Sequence, residues 1–224
     1  MSKNNNLEYY PEEKILNPPQ HARDEVELIL NNLTKYKTAQ IVDFGSGGGR
    51  LTIPLLQNGY KVTAIDIDKK SREQLLKTAI KIGKIKNLRI YNSFRKDEKY
   101  DYILGTDILH HVKINKYFKL FNNSLKKGGI IIFSEPNPWN ISWWIFIFLF
   151  LDWNQEKGLV NCSFYSLKNN LKKYNFNNIK INGLGLFPPQ LFFNIKIFNS
   201  LNYLLGNLPI IKMFAYRLII NAKK

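Results

Sequence analysis

Apolar residues along this chain follow two alternating rhythms. One is short and continuous, as in a strand buried on both faces; the other returns every three or four residues, as on one side of a helix. "PPQHARDEVELILNNL" (18–33) is of the second kind, entered through Pro18 and Pro19, with Val26, Ile29, Leu30 and Leu33 on one face. After it the two kinds take turns. "AQIVDF" predicts a strand, "GRLTIPLLQNG" a helix ended by Gly59, "YKVTAID" a second strand, and "KKSREQLLKTAIKIG" a helix stopped by Gly83. "NLRIY" and "YDYILGT" predict the third and fourth strands. "NKYFKLFNNSLKKGG" predicts a helix with Tyr117, Phe118, Phe121 and Leu125 in phase, terminated at Gly128, and "IIIFSEP" a fifth strand. Strands that alternate with helices imply an α/β fold with a parallel, doubly wound sheet. No internal repeat and no second domain is visible.

Residues 136–165 interrupt the rhythm. All four tryptophans (Trp139, Trp143, Trp144 and Trp153) fall there, around the run "IFIFLFL". Alternation then resumes with "FYSLKNNLKKYNF" as a helix and "NIKING" as a strand. A loosely amphipathic stretch follows from Phe187 to Leu208, and "YRLIINAKK" closes the chain as a last strand. The organisation expected is one domain over 1–224: an N-terminal helical segment to 37, a core over 38–135, an aromatic insertion over 136–165, and a C-terminal part from 166.

Composition narrows the class. With 45% hydrophobic and 22% charged residues, 224 residues can bury a proper core. No apolar run reaches the roughly 18–20 residues that span a bilayer, and the first twelve residues lack the apolar stretch of a secretory signal. The single cysteine, Cys162, excludes an internal disulfide and points to a reducing compartment, so a cytoplasmic protein is expected. The formal charge is +16, and 27 Lys beside 27 Asn fit a lysine-coated surface drifted under an AT-rich genome. The distribution says more than the sum: residues 157–224 hold ten Lys or Arg and no Asp or Glu, a one-signed field that attracts phospholipid headgroups or nucleic acid.

"IVDFGSGGGRLTI" (41–53) concentrates glycine between a strand and a helix. Such a turn places unpaired N–H groups and the positive end of a helix at the carboxyl edge of the sheet, where nucleotide-like ligands bind. A phosphate-cradling loop needs Lys and Ser/Thr after its last glycine, and Arg50-Leu51 stands there instead. A dinucleotide fingerprint needs a glycine at position 50. What remains is D-x-G-x-G-x-G, with Asp43, Gly45, Gly47 and Gly49 in register. Asp43 would repel a pyrophosphate but attract a ligand carrying ammonium and sulfonium charges. Asp66, 17 residues after Gly49 at the end of the second strand, suits a carboxylate that accepts from a ribose diol.

In these residues the chain resembles the class I S-adenosylmethionine-dependent methyltransferases. "VDFGSGGGR" is similar to the family's first motif and "VTAIDID" to its second; "YDYILGTDILHHV" is similar to the segment after strand four in its quinone and small-molecule members. The resemblance implies a Rossmann-like seven-stranded sheet in the order 3-2-1-4-5-7-6, helices on both faces, and an antiparallel last strand. It implies S-adenosylmethionine as cofactor, with Asp43 and the loop of Gly45, Ser46, Gly47 and Gly49 at its methionine part. Asp66 and Ile67 would then lie at the ribose side, and Thr106 at the end of strand four. Where the family often carries an acidic residue for the adenine amine, this chain has Asn92, whose amide oxygen can also accept.

Methyl transfer from a sulfonium chiefly needs alignment and exclusion of water, and a hydroxyl acceptor also profits from a general base. "TDILHHV" supplies His110 and His111 beyond strand four as candidate bases, and Asp107 as a residue to orient substrate or cofactor. Nothing has metal-ligand spacing. Enzymes that methylate amines of nucleic-acid bases usually show Asp/Asn-Pro-Pro-aromatic after strand four; "TDILHH" stands there, and "FPPQ" lies far downstream. The expected activity is methyl transfer to oxygen or carbon of a small or lipid-like acceptor, with an anionic membrane surface as a candidate partner. An RNA-modifying methyltransferase and a non-catalytic cofactor-binding protein stay open. The segment 139–153 reads as a lid over an apolar acceptor, as an interfacial element, or as a helix packed on the core or another subunit.

Overall fold

A computed structural model describes residues 11–34, 36–192 and 195–224. The first ten residues of the expected N-terminal segment lie outside the described residues. The chain enters through two helices, α1 (Glu12–Leu16) and α2 (Gln20–Leu30), and then alternates: β1 (Gln40–Phe44), α3 (Thr52–Gln57), β2 (Lys61–Ile65), α4 (Lys69–Lys81), β3 (Leu88–Tyr91), β4 (Tyr100–Thr106), α5 (Ile114–Ser124) and β5 (Leu125–Pro136). The aromatic segment forms α6 (Ile141–Phe150) and α7 (Trp153–Glu156). Then come α8 (Phe164–Lys173), β6 (Asn177–Leu184), α9 (Lys196–Asn207) and β7 (Arg217–Lys223).

The seven strands form one sheet in the order β3-β2-β1-β4-β5-β7-β6, with β7 antiparallel to both β5 and β6. This is the order the resemblance implied. Side chains alternate faces along each strand. In β4, Ile103 joins a core with Phe118 and Phe121 of α5 and Leu167 of α8, and so does Tyr100, because the register shifts between Tyr100 and Tyr102. Tyr102 and Leu104 point the other way, to a core with Val26 of α2, Leu55 of α3 and Leu75 of α4. Burial on both faces is why these strands read as unbroken apolar runs.

One boundary differs from the sequence reading. The helix expected to run to Gly128 ends at Ser124, and β5 begins at Leu125. Leu125 pairs with Tyr100 at the start of β4, and the register slips before Tyr102 pairs with Ile130. The slip bulges out the lysine-glycine stretch, with Gly128 at φ +79°, so the glycine that reads as a helix stop serves a strand irregularity instead.

The aromatic helix is started by Asn140, whose side chain accepts from Ser142 N at 3.1 Å. Of its ten residues only Ile147 is fully buried, whereas Ile141, Phe148 and Phe150 are exposed. Among the described residues no helix is long and apolar enough to cross a membrane.

Candidate active site

The glycine loop leaves β1 at the carboxyl edge of the sheet. Gly45 N and Ser46 N both donate to Ile65 O at the end of β2, at 2.8 and 3.1 Å, which pulls the turn against the neighbouring strand. Gly45 and Gly49 lie at φ +73° and +109°. A side chain at Gly45 would also run into Ile108, so this position requires glycine for both reasons. Gly47 differs: beyond its Cα the space is open. Beside it, the Ser46 hydroxyl is buried without a hydrogen-bond partner. An open backbone next to an orphaned hydroxyl is what a polar ligand completes.

Two carboxylates border this loop. Asp43 is buried, and its Oδ2 accepts from Thr52 Oγ1 at 2.6 Å. Burial, opposed by the Thr52 hydrogen bond and assisted by Asp66, pushes its carboxyl up to about 7. A ligand cation set against Asp43 would restore its charge. Asp66 accepts from Gly47 N and Asp68 N, one bond to each oxygen, both at 2.8 Å. A carboxylate has about four acceptor positions, so two remain for a diol. Ile67 next to it is 88% exposed on the rim, and Asn92 is exposed at the end of β3 with its Oδ1 accepting from Ser93 Oγ at 3.2 Å. Thr106 ends β4 opposite Ser134. The fold thus gathers Asp43, Gly45, Ser46, Gly47, Gly49, Asp66, Ile67, Asn92 and Thr106 along one sheet edge. This donor and acceptor set fits the amino-acid and ribose parts of S-adenosylmethionine.

Next to that edge lies a charged network that the sequence did not reveal. Asp107 takes φ +54°, an unusual conformation that an aspartate tolerates better than most residues. Its carboxylate accepts from Arg50 Nη1 at 2.5 Å and Arg217 Nη2 at 2.6 Å. Burial opposes its charge, but Arg217 and Arg50 hold the carboxyl well below the usual range. Glu25 of α2 closes the cluster, paired with Arg50 and, at 2.9 Å, with Arg217. The residues come from positions 25, 50, 107 and 217, and no local pattern connects them.

The network forms one end of a cavity of about 670 Å³. His21, Glu25, Arg50, Asp107 and Arg217 line the charged end; Trp143, Phe146, Leu149 and Phe150 of α6, with Pro188 and Leu191, line the rest. At the charged end Glu25 and Arg217 are buried and Arg50 and Asp107 half-buried, while Leu149, Phe150 and Leu191 are more than half exposed. An amphipathic molecule therefore has one orientation that suits it, with its polar end inward.

Trp143 and Trp144 anchor the apolar wall. Trp143 Nε1 donates to Tyr216 O at 2.5 Å, and its ring stacks on Tyr216 at 4.6 Å between centroids. Trp144 Nε1 donates to Pro138 O at 2.7 Å. Both are therefore bound to the body of the protein, and the aromatic segment is a wall of the cavity.

His110 and His111 lie just beyond Asp107 and are not among the residues lining the cavity. His110 is buried with Nδ1 at 2.7 Å from Glu135 Oε2 and Nε2 at 3.3 Å from Glu156 Oε2. Burial disfavours its charge, but the hydrogen bond and charge of Glu135, then Glu156 and Asp107, outweigh that and push it up to about 10. At neutral pH it is an imidazolium without a lone pair. The His111 ring lies against it, tilted, with centroids 4.0 Å apart, and partial desolvation together with the His110 charge lowers its pKa.

Known proteins bear on this arrangement. A family model described as a methyltransferase domain matches residues 18–181. The ubiquinone biosynthesis O-methyltransferase of Rickettsia prowazekii (strain Madrid E) is 34% identical over 128 residues, which cover 55% of this chain and 51% of that protein. The chain spans about half the length of the curated relatives it matches. Among solved structures, phosphoethanolamine N-methyltransferase 2 of Haemonchus contortus, in complex with S-adenosyl-L-methionine, superposes with a TM-score of 0.64 at 16% identity, over 90% of this chain and 52% of that one. An S-adenosylmethionine-dependent methyltransferase from Mesorhizobium loti gives 0.63 at 14% identity, over 93% of this chain and all of that one. The structural likenesses establish the fold. With the family model covering most of the chain, from the helix that carries Glu25 to the sixth strand, the chain belongs to the methyltransferase-domain family.

Proposed function

We propose that this chain transfers the methyl group of S-adenosylmethionine to a hydroxyl oxygen on a small, lipid-like acceptor. One observation carries the reading: a single cavity joins a charged end, which includes residues adjoining the glycine loop and strand four, to an apolar end that opens among exposed aromatic side chains. The relatives' name as O-methyltransferases of ubiquinone biosynthesis agrees with an oxygen acceptor.

S-adenosylmethionine, when bound, supplies a methyl group already activated by a sulfonium charge. In this reading Asp43, Gly45, Ser46, Gly47 and Gly49 hold its amino-acid end, Asp66 its ribose, and Ile67, Asn92 and Thr106 its base and flank. The chain's own residues then orient the acceptor. Trp143, Phe146 and Leu149 take up its apolar part and exclude water, while Arg50 and Arg217 steady negative charge that develops on its oxygen. The exposed face of α6 and the basic C-terminal third suit an anionic membrane surface from which such an acceptor is taken.

Transfer of radiolabelled methyl into membrane lipid extract and into RNA, run side by side, tests the reading. Label in an organic-soluble methyl ether is expected. Label in RNA alone, or cofactor binding without transfer to either, would overturn it.

A further inference from the structure

Helices α2 and α9 face each other across a second pocket, of about 500 Å³, which shares no residue with the glycine loop or with the ends of β2, β3 and β4. We propose that this pocket is a binding site for an aliphatic amine, best filled by a diamine. The ligand is held apart from the cofactor edge, and the inference does not depend on the O-methylation reading.

The walls follow from helical spacing. On α2, Gln20, Asp24, Glu27 and Leu28 fall on one side. On α9, Asn199, Tyr203 and Asn207 recur every four residues opposite them, and Leu184 of β6 adds an apolar surface beside Leu28. Helix α9 lies this close to the sheet because two glycines meet: the Gly206 carbonyl oxygen occupies the place where a side chain at Gly183 would begin.

Acceptors outnumber donors in these walls. Asp24 Oδ1 accepts from Gln20 Nε2 at 2.7 Å, and its Oδ2 from the Tyr203 hydroxyl at 2.6 Å. A carboxylate offers about four acceptor positions, so about two stay open. Glu27 is exposed and forms no ion pair among the described residues. Asn199 points most directly to a ligand: it is buried, lines the pocket, and its Oδ1 has no hydrogen-bond partner among the described residues. A buried acceptor left unmade costs stability, and a donor from a ligand removes that cost.

Charge selects the kind of donor. No Lys, Arg or His lines the pocket, although the chain holds 33 Lys and Arg against 17 Asp and Glu. The chain as a whole repels cations, so a cation that binds here is held by local groups. An ammonium group brings three N–H donors and a positive charge, the two things the pocket lacks. One ammonium is placed between Asp24 and Asn199; a second meets Glu27, about 4.5 Å further along the helix axis at 1.5 Å per residue. The methylenes between them lie on Leu28 and Leu184. A bare metal ion would leave that apolar surface and most of the volume unused.

Calorimetry on the full chain with 1,4-diaminobutane tests the proposal, with 1,4-butanediol and magnesium chloride as comparisons. The diamine is expected to bind at one site per chain, the diol not to bind, and magnesium in about tenfold excess to leave the diamine affinity within about threefold. Asn199→Leu removes the orphaned acceptor, so the thermal midpoint without diamine should hold or rise while diamine affinity falls about tenfold or more. An asparagine with a merely structural role would lower the midpoint and leave the affinity alone. Asp24→Asn keeps an acceptor for the Tyr203 hydroxyl but removes the charge, and should also weaken the diamine about tenfold. S-adenosylhomocysteine affinity should match the wild type in both variants, which shows that they fold. No binding of the diamine up to about 10 mM, equal binding of the diol, full displacement by magnesium, or wild-type affinity in both variants would each overturn the proposal. Should Asn199→Leu fail to fold, Asp24→Asn decides, and unchanged affinity there overturns it. None of these readouts involves methyl transfer, so their failure leaves the O-methylation reading standing.

Discussion

The buried pair of His110 and Glu135 makes a demanding test of the electrostatic account. Glu135 is fully buried at the end of β5; its Oε1 accepts from Ile108 N and Leu109 N at 2.9 and 2.8 Å, and its Oε2 faces His110. The carboxylate thus fixes the backbone after strand four, and the imidazolium neutralises it. A histidine whose pKa rises on folding, here from 6.5 to about 10, adds stability that is fully present below the unfolded pKa and lost as pH climbs to the folded one. At about 1.4 kcal/mol per unit, that interval corresponds to about 5 kcal/mol. Removing one partner of a buried ion pair costs about 3–5 kcal/mol by a separate route, so the two agree in scale. His110→Gln should therefore lower the thermal midpoint at pH 6.5 by about 10–20 °C, taking about 2–4 °C per kcal/mol for a chain of this size. Denaturant unfolding of wild type and variant from pH 6 to 10 isolates the effect, because lysines titrate alike in both. The gap between them should close as pH rises. A gap that stays constant to pH 10 would show that His110 is not held charged, and the clamp argument would fail.

Other consequences can be checked directly. Asp66→Ala should weaken S-adenosylhomocysteine binding at least tenfold by calorimetry, since hydrogen bonds to a charged acceptor are worth about 1.5–3 kcal/mol; unchanged affinity would place the ribose elsewhere. Gly45→Ala should destabilise the fold by about 1–3 kcal/mol in denaturant unfolding, because the new methyl meets Ile108 at positive φ; a neutral effect would mean that the loop readily rearranges. Phe148→Ser combined with Phe150→Ser should remove the salt-resistant part of binding to anionic vesicles, as these rings are 84% and 67% exposed. Cosedimentation equal to the wild type at high salt would exclude α6 as the contact.

What the sequence shows and what it conceals divides along range. Strand and helix alternation, the glycine turn and Asp43 and Asp66 are local: each depends on neighbours within a turn or a strand, and each is legible. The start of β5 was missed because "LKKGG" is equally good as a helix end, and only pairing with Tyr100, 25 positions away in sequence, selects a strand. Helix α1, five residues long, has too few turns to establish a period. Tryptophans 143 and 144 were ambiguous because local composition describes a lid and an interfacial helix in the same terms. The Tyr216 carbonyl, 73 positions on, fixes Trp143 in the cavity wall.

Charge shows the same division most sharply. Read along the chain, Arg217 belongs to a basic stretch without a single acid, part of a one-signed outward field. In the fold it is buried between Glu25 and Asp107, with Ser134 Oγ accepting from its Nε at 3.1 Å. It therefore contributes to the site and little to the surface. His110 reverses in the same way: beside strand four it reads as a base, and two glutamates 25 and 46 positions later hold it as a cation. A net charge or a motif records which groups are present, whereas protonation depends on the partners that the topology supplies. Reactive groups are therefore better sought where one cavity gathers distant residues, as Glu25, Arg50, Asp107 and Arg217 are gathered here, than where a motif places them side by side.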